Sequence, residues 1–177
     1  MKLLVNNPST WKTTISFLFL STLLILFIGW LTISGILPID KAIDYSNEQI
    51  NFLKVWMTTA IFIGILLPVI ALGIWIRHPK PRKVLGFYLL VLIVQIVTER
   101  LLSGVLFSSI PVTIGTIYTA FRLWQLWQGR KLLAAKTRTI VPRQKLLNGL
   151  LWLMLLFWLS NLLMLLVLPW RIIAQHT

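Results

Sequence analysis

Long apolar runs alternate along the chain with short segments that hold nearly all of its charge, and the runs have the length of a bilayer crossing. A hydrocarbon core about 30 Å thick needs about 20 apolar residues of helix. Residues 13–37 meet this requirement without a single charge. Residues 51–76 meet it with Lys54 near one end and Pro68 inside, where the missing N–H predicts a kink. Residues 84–107 and 146–168 are two further spans. The stretch 111–128 is shorter and carries Arg122, so hydropathy alone leaves it undecided.

The distribution of basic residues decides the count. Lys2 and Lys12 precede the first span; Arg77, Lys80, Arg82 and Lys83 separate the second from the third; Arg130, Lys131, Lys136, Arg138, Arg143 and Lys145 precede the last. With five spans all three groups share one face. With four, the largest group is stranded opposite the other two, against the positive-inside tendency. The expected architecture is therefore a single all-α domain, a polytopic transmembrane helical bundle of five spans. Its N-terminus lies on the cytoplasmic face of a bacterial-type plasma membrane or an organelle membrane of similar polarity.

Local signals agree. Ser46 followed by Gln49 fits a capping box at the start of the second span, with Glu48 in its first turn. Ser109 and Pro111 suit the cap and first turn of the fourth, giving a tight hairpin between spans three and four. Residues 128–145 read as a basic loop, helical in part. Trp11, Trp75, Trp124, Trp127 and Trp152 fall towards the basic face and Trp56 and Trp170 towards the other, as interfacial belts; Trp30 and Trp158 fall deeper, as packing residues. The first apolar run exceeds the length of a signal-peptide core and no small-residue cleavage pattern follows it, so it is expected to be retained.

Composition narrows the chemistry. The chain is 58% hydrophobic and 12% charged, an excess of apolar residues that a soluble core cannot absorb. Its net charge of +13 is concentrated in the inter-span segments, where orientation accounts for it without nucleic acid. The loop cations Arg130, Lys131, Lys136, Arg138, Arg143 and Lys145 also suit contact with anionic headgroups. There is no cysteine, which removes disulfides, thiolate metal sites and thiol nucleophiles. His78 and His176 lie outside the spans, so paired-His haem ligation is excluded. No hydrolase, zinc-protease or phosphate-loop motif is present, and no cofactor or metal site is expected.

The informative residues are the ionisable ones within the spans. Glu99 and Arg100 sit in the third and Arg122 in the fourth. A charge at the centre of a bilayer helix costs about 2.5–3.5 kcal/mol on the insertion scale, so it turns inward and finds a partner. Tyr88, Gln95, Glu99 and Ser103 form one stripe of the third helix; Gly115, Tyr118, Arg122 and Gln125 form one stripe of the fourth. Counting from the hairpin turn at about 1.5 Å per residue puts Glu99 and Arg122 at similar depth, which predicts a polar seam with that ion pair at its centre. Arg100 points about 100° away, towards another helix or the interface. Asn161 of the last span is expected to join the layer.

Asp40, Asp44 and Glu48 recur at i, i+4, i+8, but solvated acids at a helix start explain them. Gly64, Pro68 and Gly73 offer a loosened second span.

These features lead to a non-enzymatic accessory or assembly subunit that works through helix–helix contact with other membrane proteins. The alternative is a transporter or channel subunit that uses the seam around Glu99 and Arg122. Cysteine labelling in native membranes should place Lys136 with the N-terminus on one side, and Tyr45 with Gln175 on the other; Lys136 on the side of Tyr45 would remove the fourth crossing.

Overall fold

A computed structural model describes residues 11–37, 46–106, 109–134 and 142–174, with side chains in all but 11, 134, 142–143 and 168–174. Lys2, Asp40, Asp44, Lys136, Arg138 and the side chain of Arg143 lie outside the described residues, so the acidic row and much of the basic loop are not described. The described chain is helical. It comprises α1 (Trp11–Ile33), α2 (Asn47–Ile61), a π-helical segment (Phe62–Leu66), α3 (Leu67–Ile74), α4 (Pro79–Val105), α5 (Ile110–Ala134) and α6 (Pro142–Ala174). Because α2, the π segment and α3 run on without a break, they form one helix, and the described residues make five helices.

The helix ends follow their local chemistry. Ser46 and Gln49 form the capping box, each bonding the other's backbone N–H, with Glu48 in the first turn. Helix α1 stops at Gly35, whose φ of +73° favours glycine, and the Ile36 N–H to Leu31 and Gly35 N–H to Thr32 bonds close a Schellman motif. Prolines 79 and 111 stand in first turns, where no N–H is missed.

Four of the five helices are long and apolar enough to cross a membrane; α5 is the exception. Its position explains the shortfall. α5 runs antiparallel to both α4 and α6 along its length: Gly129 meets Val84 and Gly115 meets Glu99 on one side, while Arg130, Thr119 and Gly115 meet Asn148, Asn161 and Leu165 on the other. α1 adds a third neighbour through Phe17, stacked on Phe121 with ring centroids 3.6 Å apart. A helix covered by protein on three sides needs no lipid-compatible surface there, so its polar residues turn inward and lower its hydropathy without cost.

The same pairings collect charge at one end. Lys12, Arg82, Lys83, Arg130, Lys131 and Lys145 gather there, with Trp127 and Trp152 beside Arg130, whose guanidinium lies 3.7 Å from the Trp152 ring centroid. Glu48 is at the other. Two tryptophans depart from their expected places, Trp30 from the packed interior and Trp56 from the belt. Trp30 is 58% exposed instead of packed, and Trp56 turns into the bundle, because Asn161 offers its indole N–H an acceptor.

Two hydrophobic clusters flank α5. One joins α3, α4, α5 and α6 around Leu85, Leu126, Leu151 and Met154; the other joins α1, α4 and α5 around Ile25, Val91, Ile114 and Tyr118. Close approach of α4 and α5 at the basic end depends on Gly129, where an added Cβ would lie 2.6 Å from Val84 Cγ1. Gly129→Ala should therefore destabilise the bundle by about 1–3 kcal/mol through overpacking. Gly73→Ala, where an added Cβ meets nothing within 4 Å, should be neutral or stabilising. Reversible unfolding in mixed micelles distinguishes the two.

Candidate functional site

The core of the molecule is Arg122, completely buried at mid-height of α5. Its Nη2 donates to Gln95 Oε1 on α4, and the guanidinium lies 3.9 Å from the Trp158 ring centroid on α6 and 5.6 Å from that of Tyr88 on α4. A cation over an indole face in a dry interior is worth about 2 kcal/mol, and the charge-assisted bond to Gln95 adds to it. Together these offset part of the cost of burying such a charge; Nε and Nη1 have no hydrogen-bond partner among the described residues.

Trp158 carries the network into the second helix. Its indole N–H donates to Tyr88 Oη at 2.8 Å, and the Tyr88 hydroxyl donates in turn to the Gly64 carbonyl at 2.8 Å. That carbonyl stands four residues before Pro68, which has no N–H to return the usual helical bond. The carbonyl that the proline leaves over is thus satisfied from α4, and the π segment lies at the same place. Gly64 also has to be glycine for space: a Cβ there would sit 2.8 Å from Trp158 Cζ2.

Gln95 faces both ways. Its Nε2 donates to Glu99 Oε1 at 2.7 Å while its Oε1 receives Arg122, so acid and base communicate through an amide. Among the described residues no direct ion pair joins Glu99 to Arg122. The offset lies in the hairpin register. α4 ends at Val105 and α5 begins at Ile110, so the turn between them uses residues that a helical count assigns to depth. Glu99 is about 9 Å below the end of α4 and faces Gly115, whereas Arg122 is about 18 Å below the start of α5 and faces Gln95.

The remaining seam residues separate. Asn161 is buried, accepts from the Trp56 indole N–H at 2.8 Å and donates to Thr119 Oγ1 at 3.3 Å. Tyr118 is buried against Phe17 of α1, edge to face. Gln125 is buried on the same stripe, and neither its amide nor the Tyr118 hydroxyl has a hydrogen-bond partner among the described residues. Arg100 points outward from the bundle and is exposed. Comparison with known protein families, curated proteins and solved structures finds no match to this chain. The site has to be interpreted from its own geometry.

Beside the network lies a cavity of about 320 Å³ between α2, α4, α5 and α6, in the half of the bundle away from the basic end. Gln95, Glu99, Trp158 and Asn161 supply its polar part, and Trp56, Met57, Ile61 and Leu165 much of the rest. Sequence reading missed the parts played by Trp158, Trp56 and the Gly64 carbonyl. A glycine four residues before a proline inside a span was the available signal for the last.

Gln95→Leu should cost about 1.5–3 kcal/mol, because it removes the one hydrogen-bond acceptor that the buried Arg122 has among the described residues. Glu99→Gln should cost about 1 kcal/mol or less, since a second amide still accepts from Gln95. Tyr88→Phe should cost about 1–3 kcal/mol through the unsatisfied Gly64 carbonyl, and much of that loss should vanish in a Pro68→Ala background, where an N–H returns. A double-mutant cycle on thermal unfolding gives the coupling; additive effects would separate Tyr88 from Pro68.

Proposed function

We propose that this chain is a non-enzymatic accessory or assembly subunit of a membrane complex, held in a bacterial-type plasma membrane or an organelle membrane of like polarity with its basic end on the cytoplasmic side. The observation that carries this reading is Arg100. It lies about 8 Å below the end of α4, within a helix apolar and long enough to span a membrane, and is exposed among the exposed residues Ile96, Val97 and Leu101. Its side chain makes no hydrogen bond or ion pair with the described residues. An arginine on a lipid-facing surface is costly, and it is offset when a neighbouring subunit brings a carboxylate or a carbonyl-bearing side chain to the same depth. The partner of this face is accordingly a transmembrane helix with an acidic or amide residue opposite Arg100.

α1 supports the same reading. It joins the other helices chiefly through α5, and Phe19, Leu20, Leu23, Phe27 and Trp30 remain exposed on its surface. Arg122 itself is completely buried beside Trp158 and Tyr88, as suits a structural cross-tie. The cavity beside Glu99 favours a second reading, in which a transporter or channel subunit uses this seam.

A photoreactive residue at Val97 or Leu101 should crosslink in native membranes to one discrete protein. That adduct should be lost with Arg100→Leu and kept with Arg100→Lys, while bundle stability stays unchanged. Adducts to lipid alone, or a protein adduct indifferent to Arg100→Leu, would refute the assignment.

A further inference from the structure

The cavity beside Glu99 lies where the second helix stands off from α4. α3 packs closely on α4, and above the π segment α2 reaches the bundle through long side chains, Trp56 on Phe157 and Asn161. The helix therefore opens a wedge with its apex near Gly64. Met57, Ile61 and Ile96, which line the wedge, are all exposed, so its mouth lies between α2 and α4, within two helices apolar and long enough to cross a membrane. Glu99 is a carboxylate inside this opening. Gly115 leaves it room, since even an added Cβ would stand 3.8 Å from Oε1. Gln95 occupies Oε1, and Oε2 has no hydrogen bond among the described residues.

We propose that this wedge binds a lipophilic amine entering from the bilayer, its ammonium on Glu99 and its hydrocarbon chain along α2. The apolar lining rejects hydrated metal ions, which keep their water shells, and accepts a chain. The choice of an ammonium over an uncharged hydroxyl rests on two features. A low-dielectric opening strengthens the pairing of opposite charges. The indoles of Trp56 and Trp158 line the space, and aromatic walls favour an organic cation. At about 320 Å³ the cavity is near the lower end of the range for small-molecule sites, about 300–1,000 Å³, so it holds the head and the first part of a chain while the remainder lies in lipid. The site deepens the reading in which the seam is used for binding, and it is separate from the Arg100 face, about 100° around α4.

The test uses the full chain in lipid nanodiscs and dodecylamine carrying a photoreactive diazirine, with the labelled peptides mapped by mass spectrometry. Labelling should concentrate on residues 53–61 and 161–165 and be displaced by unlabelled dodecylamine but not by dodecanol. It should fall about tenfold in Glu99→Gln, the loss of one charge-assisted contact. Ala60→Phe, which fills the wedge and leaves the carboxylate in place, should reduce labelling to a similar degree, and it decides the matter if Glu99→Gln does not fold. Arg100→Leu should leave labelling unchanged, so failure of the subunit interface and failure of this site are distinguishable. Equal displacement by dodecanol would overturn the amine assignment. Labelling spread along the exposed face of α1, or undiminished in both wedge variants, would overturn the site.

Discussion

A fully buried arginine governs the arrangement of this bundle. Arg122 cannot reach water from mid-height of the central helix, so the structure surrounds it with groups that tolerate a cation: the face of Trp158, the more distant ring of Tyr88 and the carbonyl oxygen of Gln95. Each comes from a helix that packs on α5. Sliding α4 or α6 by one turn would move these groups by about 5 Å and leave the charge alone. The register of three helices is tied to one side chain, with a penalty for slippage larger than apolar packing alone provides between membrane helices.

The tie extends to the fourth helix through a backbone defect. Pro68 leaves a carbonyl without its helical partner, and the Tyr88 hydroxyl supplies one from α4 while accepting the indole N–H of Trp158. That carbonyl and the buried cation are thus stabilised by the same two aromatic side chains. Below the π segment, α3 closes on α4 to make the larger core cluster. Above it, α2 stands off and the wedge opens. One proline thus stands between a closely packed half of the bundle and an open half.

α1 stands apart from this arrangement. It is joined to the rest by Phe17 on Phe121 and Tyr118, and by Gly29 against Leu106, near the α4–α5 turn. Its ring contacts are apolar and it brings no buried charge to the bundle, although Thr14, Ser21 and Thr32 are buried, so no register is enforced as strongly as for α4 and α6. Polar atoms of Tyr118, Arg122 and Gln125 are also left unmatched on the α5 stripe among the described residues. The molecule therefore combines a cross-tied four-helix unit with a more simply attached fifth helix.

The sequence by itself determined the class and count of helices, because apolar run length and the spacing of lysines and arginines respond directly to the bilayer and need no tertiary information. It also determined the capping box at Ser46 and the presence of a polar seam, since side-chain periodicity on a helix is a local property. The partners across that seam were decided only by the tertiary structure. Depth counted along the sequence treats a turn as if it were helix, and the few residues between α4 and α5 were enough to set Glu99 opposite Gly115 and Gln95 opposite Arg122. The roles of Trp158 and of the Gly64 carbonyl were equally hidden, whereas the turn of Arg100 away from the seam followed from helical periodicity. Those hidden roles depend on how one helix is rotated and seated against another, and that is settled by packing among residues far apart in the chain.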